Sequence, residues 1–525
     1  MTKYLISRII RSLISVTIVV AVIMVLIYSC LDKQAIFAAD PTFTKQKNNN
    51  RTVYMMEQWE NFGYLDYIPY GDFLTEKKNA GELAEADYTK AANLGKTAEA
   101  DNELAAKYTK EFTEVYEAKG YKVERLKGLT MGNTKKYQDG GKPRLYAYKN
   151  VPILSRLGKY ITGLFTVDNI HYVKEDIGER KLTFTLYDPA YGGEKFSPAI
   201  MGNGTQHKYL LYCDNKFPFI HQNLLTLNLG RSYSVNKNVD VFRTMTDTQG
   251  ALTKGLVTYP SGVTEESADN LHTAIYAAGS RDVSALNQKY YVDDYTNVQT
   301  VKSGMSKMGY SFVIGIIAVI LAYLLAVPLG ILMALKKDTL IDKLGTLYIV
   351  FITAVPSLAY IFIFKAIGNA AGLPTTFNMQ DPSTLMYVLP IISLALPSVA
   401  NLMKWLRRYM IDQMNSDYVK FARSGGMSEG QIFTKHVLKN AIIPIVHGIP
   451  ASVLGAMTGA IITERVYVVP GVGNVLTTAI NQNDNGVIVG VALFYAILTV
   501  TSVILGDVLM SLMDPRISFT TKRGG

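Results

Sequence analysis

Cysteine and histidine are scarce in this sequence, and their scarcity excludes several kinds of site. Of 525 residues, two are cysteines and six are histidines. Cys30 falls inside a long apolar run and Cys213 in a polar region, so the sequence predicts neither a structural disulfide nor a cysteine metal centre. The histidines show no tight ligand spacing, which argues against a metal site. An exported domain without disulfides is typical of a bacterial surface.

Motifs for nucleotide binding and catalysis are also missing. Residues 94–97 read Leu-Gly-Lys-Thr, like the end of a phosphate-binding loop, but position 90 is a lysine where that loop needs glycine. No nucleophile–base arrangement is visible, so we do not predict an enzyme. The formal net charge is +10, but the basic residues cluster beside apolar runs. This pattern indicates a membrane protein rather than a nucleic-acid-binding one.

Long apolar runs, in contrast, dominate two parts of the chain. They fill residues 1–31 and 310–512, whereas 32–305 has the composition of a water-soluble protein. A bilayer-spanning helix needs about 20 mostly apolar residues. The runs predict six spans, at about 13–31, 310–335, 344–367, 385–403, 442–462 and 487–512. The first run is longer than a signal-peptide core and no clear A-x-A site follows it, so an uncleaved anchor is favoured over a cleaved signal.

Lysine and arginine in the short loops predict the orientation. They concentrate at Lys3, Arg8, Arg11, Lys336, Lys337, Lys343, Lys404, Arg407, Arg408, Lys420, Arg423, Lys435, Lys439, Arg516, Lys522 and Arg523. The loops on the other side of the membrane, 368–384 and 465–486, contain a single basic residue between them, Arg465. We therefore predict that both termini are cytoplasmic and that residues 32–305 are extracellular. The predicted domains are 1–31 (N-terminus and first span), 32–305, 306–519 (membrane core, with a cytoplasmic loop at 404–442) and a tail at 520–525.

The segment between the first two spans carries mixed secondary-structure signals. Residues 74–127 are rich in Ala, Glu and Lys and lack proline, which predicts one or two solvated helices. After about residue 145, short β-type runs such as 181–187 and 208–212 alternate with Gly, Pro and Asn clusters. The apolar content can support a core. We therefore predict an α+β domain inserted into an otherwise all-α membrane protein.

The loop at 404–442 is about 40 residues long, which is unusual for a connection between membrane helices. Its interior predicts two short helices, one at 418–424 and one capped by Ser428. The Gly425-Gly426 pair permits a sharp turn between them. Phe421 and Met427 can insert into a groove on a partner protein. On the residues alone, an amphipathic helix that contacts only lipid is an equally open interpretation.

The same loop resembles the signature of binding-protein-dependent ABC importers, in its oligopeptide and dipeptide permease form. That form is similar to DYVxxARxxGLSExxxxxxHxLxNAxxP. The matching positions are Asp417, Tyr418, Val419, Ala422, Arg423, Gly426, Ser428, Glu429, His436, Leu438, Asn440, Ala441 and Pro444. Met427 stands where leucine is usual, and Lys420 stands where the general importer motif has a glutamate. A basic residue there is usual in the peptide branch, so the resemblance favours peptides over sugars or ions.

Other segments resemble the same family in the same order. They are the basic N-terminus, 227–233 (with Asn228 in place of an acid), Ala-Val-Pro-Leu-Gly at 326–330, 464–473 and Asp-Pro-Arg at 514–516. The resemblance covers about 1–31, 205–240 and 305–519. It is closest to the long Gram-positive, streptococcal-type oligopeptide permeases, which have an enlarged first external loop.

The resemblance implies a six-helix permease of type I ABC importer architecture. Its coupling helix, at 417–436, docks into a cytoplasmic ATPase. The implied coupling residues are Asp417, Tyr418, Phe421, Ala422, Arg423, Gly426, Met427, Ser428, Glu429 and His436. The implied partners are a second homologous permease, two ATPases that bind ATP and magnesium, and a lipid-anchored extracellular peptide-binding protein. The chain itself is expected to hold no cofactor.

The outer end of the fifth span is the second candidate site. Glu464 is the charge expected to face the translocation path, since a carboxylate against lipid is costly and a cavity or protein is the better environment. Pro470, Gly471 and Gly473 follow, and predict a re-entrant turn at an outer gate; a plain loop is the alternative. We expect the extracellular segment to dock the binding protein and cover the outer mouth.

Two other functions remain open on the sequence. A membrane-anchored peptide receptor or sensor explains the large inserted segment, but not the long cytoplasmic loop or the five further spans. A proton-coupled peptide carrier usually has more spans and intramembrane acids paired with bases. Spans two to four here contain no Asp or Glu.

Overall fold

The structure, a computed structural model, describes residues 2–513 with short gaps. The gaps are 98, 133, 170–171, 176–177, 189, 191–192, 214–219, 235–236, 251–254, 259–263, 268–270, 278–294, 296–303 and 380–382. The Asp-Pro-Arg segment at 514–516 and the predicted tail at 520–525 lie outside the described residues.

Four helices in the described part of the chain are long and apolar enough to cross a membrane. They are Ile6–Ser29 within α1 (Thr2–Cys30), α9 (Lys307–Leu335), Thr384–Met414, which includes α12 (Val388–Met414), and α18 (Asn485–Met513). Two bent helix pairs also pass this test. Leu340–Ala354 (α10) and Ser357–Ala370 (α11) meet at 110°, and Glu429–His447 and Ile449–Tyr467 (α16) meet at 42°. Counting each pair as one span gives the six that the hydropathy predicts.

Proline accounts for the breaks within these pairs. Pro356 is extended (φ −55°, ψ 136°) and immediately precedes α11, and it has no N–H to continue the ladder of α10. Gly448 and Pro450 stand where the second pair bends, with Pro450 in the first turn of α16. Proline is tolerated at that position because the N–H it lacks has no partner within the helix.

The 404–442 segment, predicted as a loop whose interior forms two short helices, is mostly helical. Helix α12 continues to Met414, so the first third of the predicted loop extends a membrane helix. The rest forms α13 (Asp417–Ser424), α14 (Glu429–Ile432), one π-helical stretch (Phe433–Val437) and α15 (Leu438–His447). The irregular residues are 415–416 and 425–428. Hydropathy missed the extension because polar side chains replace apolar ones while the backbone stays helical.

Two apolar clusters hold the membrane helices together. In the first, α9 packs along α12 through Ala318, Ala322, Ala326 and Gly330, which recur every four residues and so share one face. A Cβ added at Gly330 would lie 3.2 Å from the Leu406 side chain, so the absence of a side chain permits the close approach. In the second cluster, α1 packs against α18.

The described residues of the segment from 32 to 305 form both helices and strands. Its helices are α2 (Pro41–Lys45), α3 (Asn48–Asn61), α4 (Tyr70–Asn79), α5 (Glu85–Ala91), α6 (Glu103–Ala118), α7 (Ile153–Thr162) and α8 (Val241–Thr246). Its strands are β1 (Leu65–Pro69), β2 (Lys122–Leu126), β3 (Arg144–Asn150), β4 (Phe165–Val167), β5 (Lys181–Tyr187), β6 (Phe196–Asn203), β7 (Tyr209–Cys213), β8 (Ile220–Gln222), β9 (Leu225–Leu227), β10 (Gly255–Thr258) and β11 (Thr264–Ser267). The paired orders are β1-β3-β2, β5-β6-β7-β8, β4-β9 and β10-β11, and every described pairing is antiparallel.

This segment has several small cores rather than one. One contains Phe73, Phe112 and neighbours, a second contains Trp59 and Tyr146, and a third lies under β6 and β7. The strand at 181–187 is confirmed and the one at 208–212 is shifted by one residue. The expectation of one or two helices over 74–127 is wrong. Three helices lie in this region, followed by strand β2, and β1 precedes residue 145, because packing against β3 overrides local propensity.

Candidate functional site

Residues 417–432 form two short helices joined by a turn, and their local geometry follows from the sequence. Asp417 lies in the first turn of α13 and Arg423 in the last, where each charge complements the helix dipole. Gly426 adopts φ +80°, a conformation that favours glycine, and so ends α13. Ser428 caps α14 in a reciprocal capping box with Gln431. The predicted turn and cap are therefore confirmed.

One face of α13 is fixed to the membrane helices. Val419 is 1% exposed within the same apolar cluster as α9 and α12. The Tyr418 hydroxyl donates to Gln413 Oε1 at 2.6 Å and accepts from Asn440 Nδ2 at 3.1 Å. Gln413 lies in the last turn of α12 and Asn440 in α15. Helix α13 therefore contacts α12, which precedes it, and α15, which lies beyond α14.

The opposite face of α13 is open. Phe421 is 77% exposed, which is unusual for so large an apolar side chain. Arg423 bonds Glu429 through two atoms, at 2.5 and 3.0 Å, and so spans the Gly425-Gly426 turn. Both partners are exposed, so this pair contributes geometry rather than much stability. Phe421 therefore protrudes from the open face of α13, one turn of helix before the Gly425-Gly426 turn.

The remaining predicted coupling residues differ in environment. Met427 and Ala422 are partly buried against the apolar cluster formed by α9 and α12. The Met427 N–H donates to the Ala422 carbonyl. His436 lies in the π-helical stretch, and its ring stands 6.2 Å from that of Tyr418. These residues thus belong to the anchored side of the segment, whereas Phe421 belongs to the open side.

An ion pair that the sequence did not single out lies at the same end of the bundle. Arg407, near the end of α12, bonds Asp342, in the first turn of α10, through two atoms at 2.6 and 2.7 Å. Asp342 is 4% exposed and also accepts from the Asp338 N–H. Arg407 was recognised only as a basic residue that sets orientation. Its partner is 65 residues away, so no local pattern signals the pair.

A cavity of about 640 Å³ opens between α9, α11, α12, α15 and α16. Its polar lining includes Tyr323, Ser393, Ser398, Asn401, Ser452 and Thr463, and its aromatic lining includes Trp405 and Tyr409, which stack on each other. None of the described residues that line it carries a charge. The cavity therefore offers hydroxyl, amide and aromatic groups to a solute, without selecting its charge.

Glu464 does not line this cavity. Its side chain is buried (1% exposed) against α9 and the turn before α17 (Val472–Asn481). Ser311 Oγ donates to Glu464 Oε1 at 2.6 Å, and the Asn474 N–H donates to Oε2 at 3.1 Å. Ser311 Oγ also accepts from the Val472 N–H at 2.9 Å. The carboxylate thus caps the N-terminus of α17 rather than facing the cavity.

The predicted gate residues lie together around this carboxylate. A Cβ at Gly471 would overlap the Glu464 carboxylate, and one at Gly473 would overlap Ile461 and the same carboxylate, which explains glycine at both positions. Pro470 precedes them, and Val468 ends α16 in the left-handed conformation, φ +58°. The structure thus brings Glu464, in the last turn of α16, together with Pro470 and Gly471 in the connecting turn and Gly473 at the start of α17. We name residues 464–473 the Glu464 turn.

A second buried carboxylate joins the inserted segment to the membrane helices. Asp484, fully buried, accepts from Ser232 Oγ at 2.7 Å and from the Tyr233 and Ser234 N–H groups at 2.9 Å. We name residues 228–234 the strap. Its backbone lies so close to α18 that a Cβ at Gly486 or Gly490 would overlap a strap carbonyl. Sequence motifs located the strap, but its partner was missed because 250 residues separate them.

The chain is similar to known transport proteins. Residues 326–519 match the family described as binding-protein-dependent transport system inner membrane component. The oligopeptide transport system permease protein AmiC of Streptococcus pneumoniae is 34% identical over 531 residues, which cover 100% of both chains. The dipeptide transport system permease protein DppB of Bacillus subtilis is 29% identical over 214 residues, or 40% of this chain and 68% of that protein.

Among solved structures, one chain of an amino acid ABC transporter crystal structure is similar over 40% of this chain and 92% of its own length. Its sequence identity is 18% and its TM-score is 0.30.

Proposed function

Because the chain belongs to the family of binding-protein-dependent transport system inner membrane components, we propose that it is the permease subunit of an ATP-driven importer of oligopeptides. A subunit of this family is the transmembrane component of an ABC importer and is not itself an enzyme. ATP and magnesium are held by two partner ATPases. A second homologous permease completes the path, and an extracellular, lipid-anchored binding protein delivers the peptide.

The observation that carries the proposal is helix α13, which is anchored on one face and open on the other. Phe421 inserts into a groove of the ATPase, while Val419 and Tyr418 connect α13 to α12 and α15. Because α15 leads directly into α16, a displacement of α13 also shifts α15 and α16, which both line the cavity. ATP-driven closure of the ATPases thereby changes access to the cavity from one side of the membrane to the other.

The contacts at the helix ends support the proposed topology. Arg8–Asp507 and Arg407–Asp342 pairs lie at one end of the bundle. At the other end, Lys365 Nζ donates to the Val466 carbonyl, and Asp484 holds the strap. If six spans alternate in direction, the start of the first span and the end of the last must lie on the same side of the membrane. The Arg8–Asp507 pair agrees with this requirement. The excess of bases in the short loops of the first end makes it cytoplasmic, so residues 32–305 are extracellular.

The uncharged cavity supports a peptide substrate. Peptides share a backbone but vary in side-chain charge, and a path that passes many of them must avoid fixed charges of either sign. Hydroxyl and amide groups such as those of Ser393, Asn401 and Ser452 can bond peptide carbonyl and N–H groups. The cavity of about 640 Å³ is this subunit's part of the path, and the partner permease supplies the rest.

At the extracellular end, the Glu464 turn is the outer gate. Helix α16 reaches the cavity through Thr463, one residue before Glu464. Movement of α16 therefore acts directly on the carboxylate that holds Ser311 and α17. The inserted segment covers this end of the bundle and docks the binding protein.

The test is peptide uptake and peptide-stimulated ATP hydrolysis by the reconstituted complex. Phe421→Ala removes the exposed ring of α13; Phe362→Ala, which removes a ring that is 51% exposed on α11, is the matched control. We expect the Phe421 variant to lose both activities and its control to retain them. Unchanged uptake in the Phe421 variant, or uptake after deletion of the ATPases, would contradict the proposal and favour a secondary carrier.

A further inference from the structure

Helix α7 (Ile153–Thr162) is amphipathic, and its apolar face is only partly covered. Leu157 and Tyr160 pack into the cluster that joins α1 to α18. Leu154 lies beside them on the apolar face but is 75% exposed. The polar positions Ser155 and Lys159 lie on the other side of the helix, as their spacing requires. The apolar face of α7 is therefore covered by the membrane-helix cluster at Leu157 and Tyr160 and is uncovered at Leu154.

The two-stranded ribbon β4–β9, which follows α7, repeats this arrangement. Phe165 pairs with Leu227 and Val167 with Leu225, so the four side chains share one face of the ribbon. Leu227 packs into the same membrane-helix cluster. The other three are about half exposed: Phe165 57%, Val167 58% and Leu225 49%.

The opposite face of the ribbon is polar. Thr166 pairs with Thr226, and both line a polar cavity of about 360 Å³ together with Asp168 and Asn228. The ribbon is therefore two-sided. One face carries polar groups, and the other is apolar and covered only at Leu227 among its four side chains. We name Leu154, Phe165, Val167 and Leu225 the apolar patch.

The patch lies at the level where α1 ends. The Arg156 guanidinium stands over the rings of Tyr28 and Tyr64, at 3.8 and 4.0 Å. Tyr28 is in the last turn of α1, next to its end at Cys30. The Tyr160 hydroxyl donates to the Leu229 carbonyl of the strap. Tyrosines with an apolar ring and a bonded hydroxyl are typical of the membrane–water boundary.

We propose that α7 and the ribbon β4–β9 are embedded in the membrane, with the apolar patch in the leaflet that surrounds the Tyr28 end of α1. The patch continues the lipid-facing surface of α1, whose Val22 and Leu26 are 52% and 56% exposed. Apolar side chains at this depth contact lipid acyl chains, while Lys159 and the threonine face of the ribbon remain in water. The inference requires that α1 spans the membrane. The proposed topology decides only that the leaflet is the outer one.

This arrangement gives the inserted segment a function beyond docking a soluble partner. The patch, α7 and the strap are consecutive layers between lipid and α18. An embedded patch therefore fixes the inserted segment at a defined depth beside the outer end of the bundle, without a contribution from any other subunit.

The experiment is site-directed fluorescence quenching in the full complex in nanodiscs. In a Cys30→Ser, Cys213→Ser background, an environment-sensitive fluorophore is attached after Leu154→Cys, Phe165→Cys or Leu225→Cys. Ser155→Cys and Thr226→Cys, on the polar faces, are the matched controls. We expect lipid-borne shallow spin labels to quench the three patch positions and not the controls, and aqueous iodide to do the reverse.

Two results would overturn the proposal. Iodide quenching of the patch positions equal to that of the controls would place the patch in water. Shielding of the patch from both quenchers would show that another subunit covers it. A lipid-borne photoreactive probe on the unsubstituted complex gives an independent answer, since cross-links must map to residues 153–167 if the patch is embedded. Uptake and ATP hydrolysis are measured on the same preparations, so a failure of the transport assignment is recognised separately.

Discussion

Removal of the Asp484 carboxylate is expected to release the strap from the membrane helices. Asp484 is fully buried and accepts hydrogen bonds from Ser232, Tyr233 and Ser234, two of them from backbone N–H groups. In Asp484→Ala these donors lose their acceptor in a place where the fold leaves little room for water. The strap must then open to regain partners, or stay closed with its donors unsatisfied.

The magnitude follows from the number and kind of bonds. A hydrogen bond to a charged group contributes about 1.5–3 kcal/mol, and an unsatisfied buried donor costs about 1–3 kcal/mol. Bonds to one carboxylate are not additive, so we expect the strap to lose about 3 kcal/mol of local stability. Since about 1.4 kcal/mol is a factor of ten, the open state becomes roughly a hundred times more populated.

Hydrogen–deuterium exchange of the assembled complex measures this opening, because amides in a locally unfolding segment exchange through the open state. The peptide containing Tyr233 and Ser234 should exchange about a hundred times faster in Asp484→Ala than in the unsubstituted protein. Asp139→Ala, which removes an exposed carboxylate paired with Lys47 at 3.4 Å, is the control and should leave the strap unchanged. Equal exchange in the two variants would refute the argument and assign the strap's stability to its packing on α18.

The other predictions concern the helix ends and close contacts. Arg407→Gln leaves Asp342 buried without its ion-pair partner, which should lower stability by about 3–5 kcal/mol and shorten the thermal half-life in detergent; adding Asp342→Asn should recover part of the loss, and strictly additive losses would contradict a direct coupling. Val468→Gly should stabilise the protein by about 1–2 kcal/mol, because glycine adopts the positive φ there without a Cβ clash; a shorter half-life would show that the valine side chain matters more. Gly490→Ala places a Cβ against a strap carbonyl and should weaken complex assembly, measured by size-exclusion chromatography, whereas Gly71→Ala in α4, where an added Cβ meets nothing within 4 Å, should not.

Properties that depend on local sequence could be predicted without the structure. The spans, the basic loops and the helix–turn–helix with Gly426 and Ser428 all follow from residues close together in the chain. Hydrophobic run length, capping and the steric freedom of glycine depend on residues close together in the chain, so the sequence alone reveals them. The helical continuation of α12 to Met414 was not predicted, because the side chains become polar there while the backbone stays helical.

The contacts that join distant parts of the chain were decided only by the tertiary structure. Glu464 was recognised as a charge that lipid could not accommodate, but its burial against Ser311, rather than on the cavity, depends on how α9 packs. Asp342 and Asp484 drew no attention, because each is an ordinary acid until Arg407 or the strap is placed beside it. A buried charge requires a partner, but the partner's position is set by the packing of the helices, and no pattern in the neighbouring residues records it.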